Sequence, residues 1–134
     1  MIELMVISDK DLEWVRQLRN RNCRYFFHNE KVSPEEQKKW YKNLTGYFFV
    51  ILKHGQRIGT VSVRYNETLK CNEIGNFLLD TKYRSVGIGK KVYEQLKKHF
   101  GNKFFLQVRY DNTDAVRIYK AMGFVPERVV MWNF

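Results

Sequence analysis

The fold is indicated first by the motif Arg84-Ser85-Val86-Gly87-Ile88-Gly89. It follows a predicted strand and opens a predicted helix, whose apolar residues recur every four positions at Ile88, Val92, Leu96 and Phe100. The first turn of a helix has unpaired N–H groups and the positive end of the helix dipole, and glycine lets a phosphate approach the backbone closely. The turn therefore predicts a site for a diphosphate or a similar anion, with further positive charge from Lys82, Arg84 and Lys90.

A second motif lies downstream at Asn112-Thr113-Asp114-Ala115-Val116-Arg117-Ile118-Tyr119-Lys120-Ala121-Met122-Gly123-Phe124. It predicts a helix with a polar cap at Asn112, an apolar stripe that includes Tyr119, and a stop at Gly123. The sequence has no G-x-G-x-x-G after its first strand and no Gly-Lys-Ser/Thr. A Rossmann or P-loop nucleotide site is therefore not predicted.

The residues around these motifs predict strands interspersed with helices. Ser8 with Asp11, and Ser33-Pro34-Glu35-Glu36, are start signals for two helices, which are predicted to end near Asn20 and Leu44. Two runs rich in β-branched and aromatic residues flank His54-Gly55 and predict a hairpin. The order β-α-α-β-β-β-α-β-α-β is that of an α+β fold with a mixed sheet. The predicted strands are Glu3–Ile7, Tyr47–Lys53, Arg57–Tyr65, Asn72–Asp80, Lys103–Val108 and Pro126–Phe134.

Length and composition favour one domain over residues 1–134. No apolar run approaches the roughly 20 residues that a membrane-spanning helix needs, so no membrane contact is expected. The N-terminal residues lack the cationic start and apolar stretch of a signal peptide, and a cytoplasmic location is therefore expected. Cys23 and Cys71 are expected to be free thiols, and no metal site is predicted.

The formal net charge is +10, from 24 Lys and Arg against 14 Asp and Glu. This balance favours an anionic partner, which is a nucleic acid, an acidic surface or a phosphorylated small molecule. The charge alone does not choose among these partners.

Together, Arg-x-x-Gly-x-Gly and Asn-x-x-Ala-x-x-x-Tyr-x-x-x-Gly-Phe resemble the GNAT superfamily of N-acetyltransferases, in that family's order and spacing. The resemblance covers essentially the whole chain. It implies a mixed, mostly antiparallel central sheet flanked by helices. It also implies that acetyl-CoA is the acyl donor and that an amine is the acceptor.

The resemblance also implies which residues contact the cofactor. The strand Asn76-Phe77-Leu78-Leu79 would splay from its parallel neighbour and pair its backbone with the pantetheine arm, and an N–H group near Leu78 would polarise the thioester carbonyl. Backbone N–H groups from Val86 to Lys90 would bind the pyrophosphate. Asn112 matches a residue that caps its helix and contacts the cofactor. The cofactor-binding residues expected from this match are Phe77, Leu78, Leu79, Arg84, Ser85, Val86, Gly87, Ile88, Gly89, Lys90, Asn112 and Tyr119.

Two residues match catalytic positions of the family. Tyr119 matches the tyrosine that protonates the departing CoA thiolate in many members; the alternative is that it only closes the apolar face of its helix. Glu73 lies where many relatives have an acidic residue that serves as general base; the alternative is a solvated strand glutamate. Alternation along the strand predicts that Glu73, Gly75 and Phe77 share a face until a bulge intervenes.

In this family the acceptor is bound mainly by the first two helices and the segment between them. In this region Arg19, Arg24, Phe27 and Trp40 are the candidate substrate-binding residues; the alternative is that its aromatic residues belong to the core. The region resembles acetyltransferases of nucleotide-linked amino sugars, as in pseudaminic-acid synthesis, and is similar to ribosomal-protein N-terminal acetyltransferases. Aromatic rings and arginines suit an anionic, nucleotide-linked acceptor.

Three alternatives stay open at this point. One is acetylation of protein or peptide N-termini, another is a GNAT fold that binds CoA without turnover, and the third is a basic, non-catalytic module that binds nucleic acid. Only eleven residues follow Gly123, enough for one strand where most members end in a hairpin. The acceptor cleft is therefore expected to be open, completed by another subunit of a homodimer, or shaped for a large substrate.

Overall fold

The computed structural model describes residues 1–26, 30–84 and 87–127. Within these ranges the chain forms a sheet in the order β1-β2-β3-β4-β5, with four helices. The α+β fold is the predicted one, and the order of its elements agrees with the prediction through the last helix. The predicted strand Pro126–Phe134 lies outside the described residues from position 128 onward. The elements are β1 Ile2–Val6, α1 Leu12–Arg21, α2 Pro34–Lys42, β2 Tyr47–Lys53, β3 Gln56–Asn66, β4 Cys71–Leu79, α3 Ile88–Phe100, β5 Phe104–Leu106 and α4 Thr113–Ala121.

The helix starts depend on their capping residues. Ser33 Oγ accepts a hydrogen bond from the Glu36 N–H at 3.1 Å, and the Ser33 N–H donates to Glu36 Oε1 at 3.2 Å. Pro34 occupies the first helical position, where its missing N–H costs nothing. At the first helix, the Ser8 N–H donates to Asp11 Oδ2 at 2.9 Å, and a short 3₁₀ turn, Asp9–Asp11, precedes α1. Both predicted capping boxes are confirmed.

A two-residue turn joins β2 to β3. His54 and Gly55 both have positive φ, at 51° and 77°, and Lys53 pairs with Gln56 across the turn. Positive φ at both central residues is the type I′ arrangement, whose twist matches that of the flanking strands. The predicted hairpin is confirmed.

The helices cover both faces of the sheet. On one face α3 packs its apolar stripe, Ile88, Val92 and Leu96, against a core cluster from the sheet. On the other face α1 and α2 cover a second cluster, which is formed by Ile7, Val15, Phe48 and Val50 with Trp40. Burying apolar surface on both faces supplies the main driving force for folding. None of the helices in the described part of the chain is long and apolar enough to span a membrane.

The register between β4 and β3 shifts by one residue halfway along β4. Opposite β3, Ser62 pairs with Gly75 but Thr60 pairs with Leu78, so β4 carries one extra residue between these two pairs. The extra residue is a bulge at Asn76, where φ is +48°. Thr60 Oγ1 donates to the Asn76 carbonyl at 2.7 Å, which holds the bulge in place. Because the bulge reverses the alternation, Phe77 packs on the α3 face of the sheet.

The parallel pairing between β4 and β5 is short. It runs from Asn72 opposite Phe104 to Ile74 opposite Leu106. From Gly75 to Leu79, β4 continues along β3 but has no partner on its other side among the described residues. The two parallel strands therefore part at the point where the bulge begins.

Candidate active site

The glycine turn forms the start of α3. Gly87 is the N-cap residue with φ of +74°, a left-handed conformation that side chains with a Cβ rarely adopt. The first helical hydrogen bond runs from the Lys91 N–H to the Gly87 carbonyl at 3.3 Å. The N–H groups of Ile88, Gly89 and Lys90 have no backbone acceptor among the described residues, as expected for a first turn. This end of α3 can accept an anion through its backbone.

The side chains of the turn have different surroundings. Ile88 is buried in the core, so only its backbone can face a ligand, whereas Lys90 is exposed. A Cβ at Gly89 would lie 3.6 Å from Met122 Cε and 3.9 Å from Phe77 Cζ. Gly89 therefore lies where α3, α4 and β4 meet. Ser85 and Val86, which are also predicted for this turn, lie outside the described residues.

Arg84 donates hydrogen bonds to a backbone and a side-chain group in the described part of the chain. Its Nε donates to the Leu79 carbonyl at 2.9 Å, and one terminal nitrogen donates to Asn22 Oδ1 at 2.5 Å. Asn22 is buried at the end of α1, and its Nδ2 donates to the Leu18 carbonyl at 2.8 Å. This contact of Asn22 was not predicted from the sequence, since an asparagine after a helix is typical of an ordinary C-cap.

Tyr119 lies on α4 beside the unpaired half of β4. Its ring centroid is 6.4 Å from that of Phe77 and 6.0 Å from that of Phe124. Burial raises the pKa of Tyr119 to about 12, so the phenol keeps its proton at physiological pH. Asn112 caps the same helix, because its Oδ1 accepts from the Ala115 N–H at 3.4 Å. The structure thus brings together Tyr119, Phe77 and the start of α3.

Glu73 lies on β4 in the short paired segment before the strands part. Gln107, the residue that follows β5, donates from Nε2 to Glu73 Oε2 at 3.0 Å. Arg64 lies 3.9 Å from Oε1, and the Glu73 side chain is only 19% exposed. The carboxylate is held by one hydrogen bond from Gln107 and one longer ion pair with Arg64, and it can accept a proton from a group in the space beside it.

That space is a cleft of about 680 Å³ between α2 and the strands β3 and β4. It is open to solvent and contains both cations and carboxylates. Trp40 forms part of its wall and packs edge-on against Phe48 at a centroid distance of 5.0 Å. The lining residues are Glu36, Lys39, Trp40, Asn43, Leu44, Thr45, Phe48, Ser62, Val63, Arg64, Glu73, Gly75 and Asn76.

Of the four candidate substrate-binding residues, Trp40 lies at the cleft. The Arg19 guanidinium stacks over Phe26 at 4.6 Å and donates to the Glu30 carbonyl at 3.2 Å, and burial lowers the pKa of Arg19. Arg24 is exposed and, like Arg19, is not part of the cleft lining. Phe27 lies outside the described residues.

The polar cleft residues on β3 were not predicted from the sequence. Ser62 and Arg64 alternate with buried Val61 and Val63, a period-two signal that marks one face of a strand. That signal alone could have placed them on the face opposite α3. Their position beside Glu73 depends on the strand register, which the sequence does not state. Among the described residues, no group of three or more His, Cys, Asp and Glu side chains is arranged to hold a metal ion.

Several solved structures share this fold, and most of those similar to this chain are described as acetyltransferases. A possible acetyltransferase from Clostridium difficile 630 is 15% identical with a TM-score of 0.73, and the match covers 100% of this chain and 97% of that chain. The ribosomal L7/L12 alpha-N-protein acetyltransferase RimL, in complex with coenzyme A, is 16% identical with a TM-score of 0.73, covering 95% of this chain and 81% of that chain. A spermidine N-acetyltransferase SpeG chimera from Vibrio cholerae and hSSAT is 21% identical with a TM-score of 0.74, and the match covers 95% of this chain and 82% of that chain. At these identities the likeness shows the fold.

The sequence itself carries the family assignment. No curated protein sequence matches the chain. The model of the acetyltransferase (GNAT) family matches residues 15–124, which include β4, the glycine turn and α4. The chain therefore belongs to the acetyltransferase (GNAT) family and is an N-acetyltransferase, an enzyme that moves an acetyl group to an amine.

Proposed function

We propose that this enzyme uses acetyl-CoA to acetylate the primary amine of a small anionic molecule, with a nucleotide-linked amino sugar as the expected class. The observation that carries the proposal is the parting of β4 and β5 after Ile74, the residue that follows Glu73. The start of α3, which is suited to an anion, lies on one side of this gap and the cleft lies on the other. The proposal includes one catalytic domain over residues 1–134, acting in the cytoplasm.

The backbone of β4 fits a pantetheine arm. The Asp80 N–H donates to the Ile58 carbonyl at 2.7 Å, so this N–H points toward β3. Backbone groups alternate along an extended strand, so the Leu78 N–H points the same way, whereas those of Phe77 and Leu79 point to the open side. We expect these two N–H groups, on either side of Leu78, to pair with the arm and to bind the thioester oxygen.

The start of α3 fits the pyrophosphate. We expect backbone N–H groups from Val86 to Lys90 to bind it, because the helix dipole and the glycine at Gly87 favour an anion at this place. The exposed Lys90 adds a positive charge there. Asn112, at the start of α4, is expected to contact the cofactor as well as to cap its helix. Arg84 is the first residue of the glycine-turn motif, and we therefore include it among the proposed cofactor-binding residues.

Acetyl-CoA supplies the acetyl group as an activated thioester. Glu73 Oε1 would accept the proton of the acceptor ammonium and so free its lone pair for attack. The Tyr119 hydroxyl, which is protonated, would donate a proton to the departing sulfur. Glu73 and Tyr119 lie on opposite faces of the sheet, and the gap between β4 and β5 connects those faces.

The cleft supports an acceptor that carries both a ring and negative charge. Trp40 offers a flat face for a base, and Arg64 and Lys39 offer two cations for phosphate. Glu73 is the carboxylate next to Arg64, so an amine near Glu73 and a phosphate near Arg64 fit one molecule. Arg19, Arg24 and Phe27 stay predicted contacts for the more distant part of such an acceptor.

The test is release of free thiol from acetyl-CoA across a panel of amines. The panel comprises UDP-linked amino sugars, polyamines and peptides with free N-termini. We expect the amino-sugar nucleotides to give the highest kcat/KM, and Arg64→Gln to raise their KM by about tenfold, since a charged hydrogen bond is lost. Arg117→Gln, on the exposed side of α4 and paired with Asp114, is the matched control and should leave KM unchanged. Preferential turnover of a peptide or a polyamine would overturn the proposed acceptor class.

A further inference from the structure

Arg84 joins the end of β4 to the end of α1. Its guanidinium lies between the Leu79 carbonyl and Asn22 Oδ1, at 2.9 and 2.5 Å. On the assumption that acetyl-CoA binds along β4 as proposed above, we propose that Arg84 is a positioning residue. Through Asn22 it couples the cofactor-binding strand to the segment at the end of α1, instead of binding a cofactor phosphate with its side chain.

The peptide unit between Leu79 and Asp80 is held at both ends. Its N–H donates to the Ile58 carbonyl at 2.7 Å, and its carbonyl accepts from Arg84 on the opposite side. A planar peptide held in this way has a fixed orientation. Arg84 therefore sets the direction of the last peptide of β4, on the open side where the pantetheine arm is expected.

Asn22 connects Arg84 to α1. It is only 7% exposed, and both ends of its amide are used, one by Arg84 and the other by the Leu18 carbonyl. A buried amide is costly to leave without partners, so Asn22 and Arg84 depend on each other. A hydrogen bond from a guanidinium is stronger than one between neutral groups. This pair thus makes a stiff connection between α1 and β4.

The 3₁₀ turn Cys23–Tyr25 begins directly after Asn22. The Phe26 N–H closes the turn by donating to the Cys23 carbonyl at 3.1 Å. This turn begins the segment in which acceptor contacts are predicted. If CoA binding at β4 favours one position of Arg84, it should therefore also stabilise the turn Cys23–Tyr25. By the same coupling, a change that stabilises the turn should strengthen CoA binding.

The experiment measures CoA binding to the full chain by titration calorimetry, with no acceptor present. We expect Arg84→Gln and Asn22→Ala each to weaken binding by about tenfold, within the usual range of coupling between sites. The double variant should be no weaker than the weaker single variant, because both substitutions break the same connection. Asn22→Asp loses the donor to the Leu18 carbonyl and should lower the stability of the fold, but it keeps an oxygen for Arg84 and should retain CoA affinity within about threefold of the wild type.

The salt dependence separates positioning from phosphate binding. Lys90→Gln is the control for a phosphate contact and should flatten the fall of affinity with ionic strength. Arg84→Gln should leave that slope as in the wild type. A flattened slope for Arg84→Gln, or additive losses in the double variant, would overturn the proposal.

Hydrogen exchange provides a second measurement that does not depend on the affinity of one variant. CoA should slow exchange at the Phe26 amide about tenfold in the wild type and not in Asn22→Ala. Equal protection in both proteins would contradict the coupling. If the wild type gave no heat with CoA at all, the proposed cofactor site would fail; if it bound CoA without these linked effects, only the role of Arg84 would fail.

Discussion

Tyr119 has the environment that a proton donor needs at neutral pH. Burial raises its pKa to about 12, so the phenol is protonated through the whole range in which the enzyme is expected to work. We predict that Tyr119→Phe lowers kcat by about a hundredfold, the lower end of what general acid catalysis contributes, with little change in acetyl-CoA affinity. The shape of the pH–rate profile below about pH 10 should not change, since the phenol does not titrate there.

Tyr93 offers the matched control for this change. It lies in the same aromatic cluster, 5.2 Å from the Phe124 ring, but projects from α3. Tyr93→Phe should leave kcat within about twofold, because surface and peripheral changes have small effects. An unchanged kcat in Tyr119→Phe would mean that Tyr119 only completes the packing of α4.

The raised pKa of Tyr119 also predicts alkaline behaviour of the fold. Its pKa is higher in the folded than in the unfolded state, so its contribution to stability is complete below about pH 10 and is lost as the pH rises toward 12. Tyr119→Phe should therefore lose less stability than the wild type between about pH 9 and pH 11. Urea denaturation of both proteins at the two pH values gives the free energies of unfolding to be compared.

Glu73 is held so that one carboxylate oxygen faces the cleft. Gln107 binds Oε2, and Oε1 lies on the side of Arg64. We predict that Glu73→Gln, which keeps the shape but cannot accept a proton, lowers kcat by about a hundredfold or more and leaves the KM for acetyl-CoA unchanged. Steady-state kinetics with the best amine of the panel measures both constants.

Glu67 is the control for Glu73. It is an exposed carboxylate in the connection between β3 and β4, and it is not part of the cleft lining. Glu67→Gln should behave as the wild type. If Glu73→Gln also retains activity within about twofold, Glu73 is the solvated strand glutamate that the sequence left as the alternative.

At the scale of the element, the bulge in β4 depends on the absence of a side chain on β3. A Cβ at Gly59 would lie 2.2 Å from the Leu78 carbonyl oxygen and 2.9 Å from Leu79 Cδ2. We predict that Gly59→Ala destabilises the protein by about 2–4 kcal/mol, because backbone atoms must move to admit the methyl group. It should also weaken CoA binding, since the displaced residues, Leu78 and Leu79, are among those proposed to pair with the pantetheine arm.

Gly89→Ala is the control for this substitution. A methyl group there would make only ordinary contacts of 3.6 and 3.9 Å, and an alanine within a helix is favoured over glycine by up to about 1 kcal/mol. Chemical denaturation should therefore find Gly89→Ala as stable as the wild type or slightly more stable. Equal stability of Gly59→Ala and the wild type would mean that β3 and β4 separate easily at the bulge.

The elements that the sequence predicted correctly are those with local signals. The stripe of α3 is buried at Ile88, Val92 and Leu96, and the capping box of α2 forms as its Ser-Pro-Glu-Glu pattern indicates. The bulge at Asn76 could not be placed, because it depends on the register between two strands. The same holds for the bond between Arg84 and Asn22, whose partners are 62 residues apart.

At the scale of the whole molecule, the sheet separates the acceptor cleft that we propose from the side of α3 and α4, where acetyl-CoA is proposed to bind. Glu73 faces the cleft beneath α2, whereas Phe77 and Tyr119 lie on the side of α3 and α4. The bulge at Asn76 changes the face between Glu73 and Phe77, and the pairing with β5 ends at Ile74. An amine and a thioester that approach from opposite faces can therefore meet at β4.

The occupied cofactor site should stabilise the entire fold, because its proposed contacts come from β4, α3 and α4 together. At an acetyl-CoA concentration of about 100 times Kd, linkage predicts about 2.7 kcal/mol of stabilisation and, for a chain of this length, a rise in Tm of about 10 °C. Gly87→Glu should abolish this rise, since its φ of +74° disfavours a side chain and its carboxylate would repel the phosphates. Differential scanning calorimetry with and without acetyl-CoA measures the effect.

Gly101→Glu separates loss of the ligand site from strain in the fold. Gly101 ends the same helix with φ of +85°, and a Cβ there, as at Gly87, would meet no atom of the described residues within 4 Å. Gly87 lies in the left-handed helical region with ψ of 11°, whereas Gly101, with ψ of −168°, lies in a region that essentially only glycine adopts. Gly101→Glu should therefore lower the Tm of the ligand-free protein at least as much as Gly87→Glu. Only Gly101→Glu should keep the rise with acetyl-CoA, because it places its charge at the end of α3 that is remote from the glycine turn. Loss of the rise in both variants would mean that strain in α3, and not the carboxylate at its start, prevents binding.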